Sequence, residues 1–317
     1  MRLLFITSTR IGDAVLSSGL LSHLVENSSS PVVTVACGPE AAPVFENLPG
    51  LNNLIIMEKR PGGRHWASLW SKCVTKKWDI VVDLRSSAIA WALPTSNRLI
   101  LKRSKKTLHK VVEIGALCNS INPPDPKLWI SKHHLLAAND VLPDTQFIVI
   151  APTANWLGKQ WRGKNFGELA RRLTSKQGIL PGASIVVLGG KNERNQAQDM
   201  FDSVQGLPVV DLVGKLKLMV AAAIIKRAKF FVGNDSALMH ISAASGTPTL
   251  GLFGPSREAN YAPWGKKCAV QRTKLSYDEL TGTPNYDHRK TGTLMDSLTV
   301  DMAEIAAQSL WRKLAER

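Results

Sequence analysis

The sequence predicts an α/β protein of two domains, each built on a parallel sheet. Three observations carry that expectation. The chain has 317 residues, more than one ordinary hydrophobic core organises. Short apolar runs alternate with helical stretches, the pattern of parallel strands joined by crossovers. Near the middle, Pro123-Pro124-Asp125-Pro126 and Leu142-Pro143-Asp144-Thr145 interrupt the pattern with the Pro-rich, polar composition of a boundary. The expected domains are therefore 1–143 and 144–317.

In the first half, Leu3 to Thr7 reads as a buried strand. Ser8 to Asp13 reads as a loop, and Ala14 to Leu24 as a helix with apolar residues at 15, 16, 20, 21 and 24. Asp13 thus falls where the first strand hands over to the first helix, either as an N-cap or as a carboxylate at the ligand-binding end of an open sheet. Gly12 beside it permits close approach. No Gly-x-Gly-x-x-Gly follows, which argues against a dinucleotide-dependent dehydrogenase. Further strands are expected at 31–37, 54–57, 80–84 and 97–101, with a helix from Trp66 to Val74. The densest basic run, Lys102-Arg103-Ser104-Lys105-Lys106, reads either as a solvated loop or as a contact for an acceptor phosphate or an anionic membrane surface. Aromatic residues are not interleaved in it, so a single-strand nucleic-acid platform is poorly supported.

In the second half, Phe147 to Ile150 reads as a buried strand, followed by a loop to Trp161 and a helix over 166–173. Strands follow at 184–188 and 209–213, then a helix over 219–228. The most informative stretch comes next. Phe230-Phe231-Val232 is a buried strand, broken at Gly233-Asn234. Asp235 or Ser236 caps a helix running from Ala237 to Ser245, Gly246 stops it, and Thr249 to Phe253 is another strand. This order aims free N–H groups and the positive end of a helix at one spot, which suits a phosphate. His240 on that helix reads as a core residue or a ligand. Residues 254–296 read as a long loop, and Asp301 to Leu314 as an amphipathic final helix.

The formal net charge of +15 favours anionic partners without choosing among them. The four cysteines (37, 73, 118 and 268) have no metal or redox spacing, and the simple reading is a reduced, cytosolic protein. No run approaches a membrane span, so membrane contact is expected to be peripheral.

These pieces together resemble glycosyltransferase family 9, the ADP-heptose:lipopolysaccharide heptosyltransferases. The resemblance rests on Gly12-Asp13, Asp83-Leu84-Arg85-Ser86, Lys159-Gln160-Trp161 and Gly189-Gly190 with Glu193. Its most specific part is Asp235-Ser236-Ala237-Leu238-Met239-His240 with Ala243-Ala244, Gly246-Thr247-Pro248 and Phe253-Gly254-Pro255. Two positions depart from the family pattern: Ala237 stands where Gly is usual, and Gly19-Leu20 where a Pro is common.

The resemblance implies a GT-B fold, two Rossmann-like domains facing each other across a cleft, with the final helix packing back on the first. It implies inverting transfer of a sugar, heptose by family, from an ADP-sugar to the lipid A/inner-core oligosaccharide of lipopolysaccharide. It implies Asp13 as base and Lys159 against the leaving diphosphate. Donor contacts are then Thr153, Asn155, Lys159, Glu193, Lys215, Leu216, Asp235, Ser236, Ala237 and His240. Acceptor contacts are Arg10, Gly12, Arg85, Lys102, Arg103, Lys105 and Lys106. The chain has no Asp-x-Asp, so no metal and no cofactor are expected. Nor is nucleic acid an expected partner, and the place of work is the cytoplasmic face of the membrane. The alternatives are a nucleotide-sugar epimerase of the same fold and a non-catalytic basic protein binding lipid or nucleic acid.

Overall fold

A computed structural model describes all residues except 103–106, 121, 283–285, 289 and 317. The chain divides into two compact units, Met1–Ser131 and Lys132–Arg317.

The first unit runs β1 (Arg2–Ile6), α1 (Ile11–Glu26), β2 (Val32–Cys37), β3 (Leu51–Ile56), α2 (Arg64–Cys73), β4 (Trp78–Asp83), β5 (Thr95–Ile100) and α3 (Lys110–Gly115). Its five strands form one parallel sheet in the order β3-β2-β1-β4-β5. Chain direction across the sheet reverses between β1 and β4, whose last residues Ile6 and Asp83 are paired. Crevices at such a switch point are where open α/β sheets bind ligands. The central strand is apolar on both faces, with Leu3, Leu4, Phe5 and Ile6 fully buried, because helices cover both sides of a parallel sheet. Edge strand β3 is mostly half-buried or exposed and reads correspondingly weakly.

The Pro-rich segment is no free linker. It lies against α1: a Cβ on Gly19 would fall 2.3 Å from the Pro124 carbonyl oxygen, so only glycine fits there. Ser18 Oγ accepts the Lys127 N–H at 2.8 Å in the same crossing. The expected boundary at 143 therefore moves to 131. Between the two positions lies α4 (Lys132–Asn139), which packs on a helix of the second unit.

That unit continues β6 (Phe147–Ala151), α5 (Gly163–Thr174), β7 (Ser184–Val187), α6 (Gln198–Ser203), β8 (Val209–Asp211), α7 (Leu218–Arg227), β9 (Phe230–Asn234), α8 (Ala237–Ala244), β10 (Thr249–Phe253), α9 (Glu258–Tyr261), β11 (Cys268–Arg272), α10 (Tyr277–Thr281) and α11 (Val300–Ala315). The six strands are parallel in the order β11-β10-β9-β6-β7-β8. The switch point lies between β6 and β9. On α5, Phe166, Leu169, Ala170 and Leu173 follow helical spacing, and all are buried in one core with Trp161 and Phe230. Each large side chain so buried contributes roughly 1.5–3 kcal/mol.

One expectation is corrected here. Residues 254–296 are not all loop: β11 adds a sixth strand beside β10. All five of its residues are only half-buried, so it lacks the continuous apolar run that marks the inner strands. Ala303, Ala307 and Leu310 of α11 lie in the second unit's own core, and Trp311 meets Phe230 edge-on at 6.1 Å between ring centroids. The small alanines let α11 lie close over α5, β10 and β11.

Cys37, Cys73, Cys118 and Cys268 are free thiols. Burial pushes Cys37 and Cys268 up to about 12 and Cys73 to about 11, so these three stay protonated and weakly reactive near neutral pH. Among the described residues no helix is long and apolar enough to cross a membrane.

Candidate functional site

The second unit's switch point assembles a polar site from residues far apart in sequence. β9 ends in Asn234, which is fully buried. Its Nδ2 donates to the Pro152 carbonyl at 2.8 Å, and its Oδ1 accepts the Trp161 N–H at 3.0 Å. One side chain thus holds both ends of the loop that follows β6. Trp161 anchors that loop from below: it is 1% exposed, its indole N–H donates to the Leu298 carbonyl at 2.8 Å, and it packs edge-on against Phe166. The tail closes the far side, with the Leu294 N–H donating to the Gly158 carbonyl at 3.0 Å.

A single 3-10 turn over Leu157–Lys159 then presents Lys159. Its Nζ lies 2.5 Å from Asp235 Oδ2, with Asp235 6% and Lys159 24% exposed. An ammonium has three N–H donors, and Asp235 takes one of them. The other Asp235 oxygen is 3.9 Å from His240 Nε2, so His240 stands within the same polar group. Breaking a pair this buried by removing one partner costs about 3–5 kcal/mol, because the remaining charge is stranded.

The helix start differs from expectation. Asp235 does not cap α8, because Lys159 has claimed it. Ser236 occupies the N-cap position but makes no side-chain cap, and its buried Oγ has no partner among the described residues. The first-turn N–H groups of α8 are therefore not satisfied by a cap, and a helix leaves such groups without internal partners. Ala237 is absent from the residues with left-handed backbone, so alanine stands without strain where glycine is usual.

Glu193 joins the site from the loop after β7. Its Oε2 accepts from Thr153 Oγ1 at 2.5 Å and from the Gly190 N–H at 2.7 Å. Gly189 allows this approach, since a Cβ there would fall 2.9 Å from Thr153 Oγ1. Asn155 is exposed on the β6 loop. Lys215 stands one strand further out, its Nζ donating to the Asp211 carbonyl at 2.7 Å. Leu216 beside it is half-buried. The Gly214 N–H ties this turn to the Gly189 carbonyl at 3.1 Å.

At the first unit's switch point the helix begins earlier than expected. Arg10 is the N-cap residue, without a side-chain cap, and Gly12 and Asp13 lie in the first turn of α1. Asp13 is therefore neither loop nor cap. It is half-exposed, and its Oδ2 accepts from Ser8 Oγ at 3.3 Å. After β4, the fully buried Asp83 accepts the N–H of Arg85 at 2.8 Å and of Ser87 at 2.7 Å, which shapes the turn presenting Arg85. Arg85 lines a hollow with Thr7, Thr9, Lys59, His65 and Trp66 at the strand ends. The last three come from the loop after β3 and the start of α2, and no spacing in the sequence joins them to Arg85. Lys102 is exposed after β5; Arg103, Lys105 and Lys106 lie outside the described residues.

Comparison with known proteins adds to this geometry. The family model for glycosyltransferase family 9 (heptosyltransferase) matches residues 67–282. That span holds Lys159, Glu193 and Asp235 and leaves Asp13 outside. A lipopolysaccharide heptosyltransferase 3 of Escherichia coli is 32% identical over 163 residues, covering 51% of this chain and 45% of that protein. Lipopolysaccharide heptosyltransferase 2 of Salmonella typhimurium (strain LT2) is 22% identical over 319 residues, 88% of this chain and 90% of the relative. Among solved structures, a glycosyl transferase family 9 protein from Veillonella parvula DSM 2008 superposes with a TM-score of 0.78 at 20% identity, covering 98% of this chain and 97% of that one. The ADP-heptose lps heptosyltransferase II of E. coli gives 0.76 at 20% identity, covering 99% and 100%. The likeness establishes the fold as GT-B, with its two Rossmann-like units.

Proposed function

The chain belongs to glycosyltransferase family 9, the heptosyltransferase family, and on that premise we propose that it transfers a heptosyl group from ADP-heptose, with inversion, to the lipid A/inner-core oligosaccharide of lipopolysaccharide. The observation that carries the donor half is the Lys159–Asp235 pair beside the uncapped start of α8. It combines a held cation, with N–H groups to spare, and a helix end that attracts anions.

The reaction is a single displacement. An acceptor hydroxyl oxygen attacks the anomeric carbon, the bond from that carbon to the diphosphate oxygen breaks, and ADP leaves with the bonding electrons. Asp13 takes the hydroxyl proton as general base. Lys159 and the α8 amides offset the charge that builds on the leaving diphosphate, in place of a metal ion. Asp235 positions Lys159. Glu193 has spent Oε2 on the protein and offers Oε1 to the ribose hydroxyls. Thr153 and Asn155 line the same side, and His240 supports the loop. Lys215 and Leu216 flank the adenine. Arg10, Gly12, Arg85 and the basic run 102–106 receive the anionic acceptor, and the protein works peripherally at the cytoplasmic leaflet.

The test is turnover of ADP-heptose by the full chain with a deacylated inner-core acceptor. Transfer with ADP release that depends on acceptor is the expected result. Conversion of the sugar nucleotide without acceptor would instead indicate an epimerase. Absence of turnover with ADP-, GDP- and UDP-sugars alike would contradict the proposed activity.

A further inference from the structure

The first unit carries a charge asymmetry larger than the cations assigned to the acceptor account for. From Lys59 to Lys110 the chain has thirteen Lys and Arg residues against two Asp, and one of those two, Asp83, is fully buried. The same stretch turns two tryptophans to solvent, Trp91 at 70% and Trp70 at 40% exposure.

Their presentation is built rather than incidental. The Trp70 indole N–H, on α2, donates to the Ala92 carbonyl at 3.1 Å, tying the helix to the turn that bears Trp91. Arg98 of β5 holds that turn from the other side. Its Nε donates to the Ala90 carbonyl at 2.8 Å, its Nη2 donates to the Leu93 carbonyl at 2.9 Å, and its guanidinium carbon lies 5.8 Å from the Trp91 ring centroid. Ala88, Ala92 and Pro94 of the turn are exposed as well, as are Arg64, Ala67 and Lys72 of α2. A fixed pair of exposed indoles in a surface rich in cations and poor in acids has the chemistry of an interfacial contact. Amphipathic rings partition to the headgroup level, and each basic residue near an anionic leaflet strengthens attachment roughly fivefold.

We infer that this face, Trp70 and Trp91 with Arg98 beside them and with Arg64 and Lys72 exposed elsewhere on the Trp70-bearing helix, docks on an anionic lipid bilayer. The inference rests on the lipid-linked acceptor proposed above, since a bilayer is where such an acceptor lies. It is distinct from the basic run 102–106, because its anchor is aromatic.

Co-sedimentation of the full chain with phosphatidylcholine vesicles, with and without phosphatidylglycerol, tests it. The wild type is expected to bind only the anionic vesicles, and less so at high salt. Trp91→Ala should weaken that binding roughly tenfold, through loss of an indole from the interface. Arg64→Gln with Lys72→Gln should weaken it roughly 25-fold, at about fivefold per charge. Trp91 is mostly exposed, so its replacement is expected to leave the fold, and transfer to the deacylated acceptor, unchanged. Wild-type vesicle binding by Trp91→Ala would overturn the inference. So would loss of binding only when Lys105 and Lys106 are replaced, or loss of single-stranded DNA binding in place of vesicle binding. Failure of the wild type to transfer heptose to the deacylated acceptor would count against the activity alone, and the vesicle measurement would still decide the surface.

Discussion

Replacing Asp13 with Asn is expected to lower the transfer rate by roughly 10²–10⁴, the usual contribution of a positioned general base, while ADP-heptose still binds with near wild-type affinity. The split follows from where the groups lie. Asp13 is in the first turn of α1, in the unit Met1–Ser131. The donor groups Lys159, Glu193 and Asp235 all belong to the other unit. Asn keeps the shape and still accepts from Ser8 Oγ, which lies 3.3 Å from the carboxylate, so the local structure is retained and only basicity is lost. Rate measurements at saturating donor, paired with calorimetric titration of ADP, check both halves. A variant that retains wild-type turnover would remove Asp13 from the role of base.

Replacing Lys159 with Ala should act on the donor side, lowering kcat by roughly 10²–10³, the scale set by removing one stabilising donor from a developing anion. ADP binding should weaken as well. The substitution also strands Asp235, which is 6% exposed. The cost in stability is about 3–5 kcal/mol from the unpaired buried charge. Lys159→Ala with Asp235→Asn separates the two effects. The neutral amide should recover most of the thermal stability, while turnover stays low because the cation is still missing. If turnover returns with stability, Lys159 is a structural partner of Asp235 and no more. Effects of residues that act as a unit do not add, so the double variant should cost less than the two single losses summed.

Much of this arrangement is legible in the chain, for identifiable reasons. The inner strands β6, β9 and β10 are buried along their whole length, so Phe147-Ile-Val-Ile and Phe230-Phe-Val announce themselves as apolar runs. The stop of α8 is legible too, because Gly246 takes a φ of 75° just past the helix. Edge elements are quieter: β11 is half-buried throughout and resembles loop sequence. Partners are the least legible. Asp235 and Ser236 both satisfy the local rule for an N-cap, but Asp235 bonds to a lysine 76 residues away, and a local rule cannot weigh that competitor. Asn234 looks like a strand ending, yet its two hydrogen bonds reach 82 and 73 residues back and fix the whole lysine-bearing loop. The amphipathic face of α11 is plain in sequence. The core it covers is not, since a row of alanines and leucines fits many surfaces.

The central claim is that the donor diphosphate is held where Lys159 meets the start of α8. A crystal structure of the full chain with ADP tests it most directly. The account predicts diphosphate oxygens at hydrogen-bond distance, about 2.7–3.1 Å, from Lys159 Nζ and from first-turn amides of α8, with Lys159 still in contact with Asp235. A diphosphate bound away from that backbone, with Lys159 engaged by Asp235 alone, would contradict it.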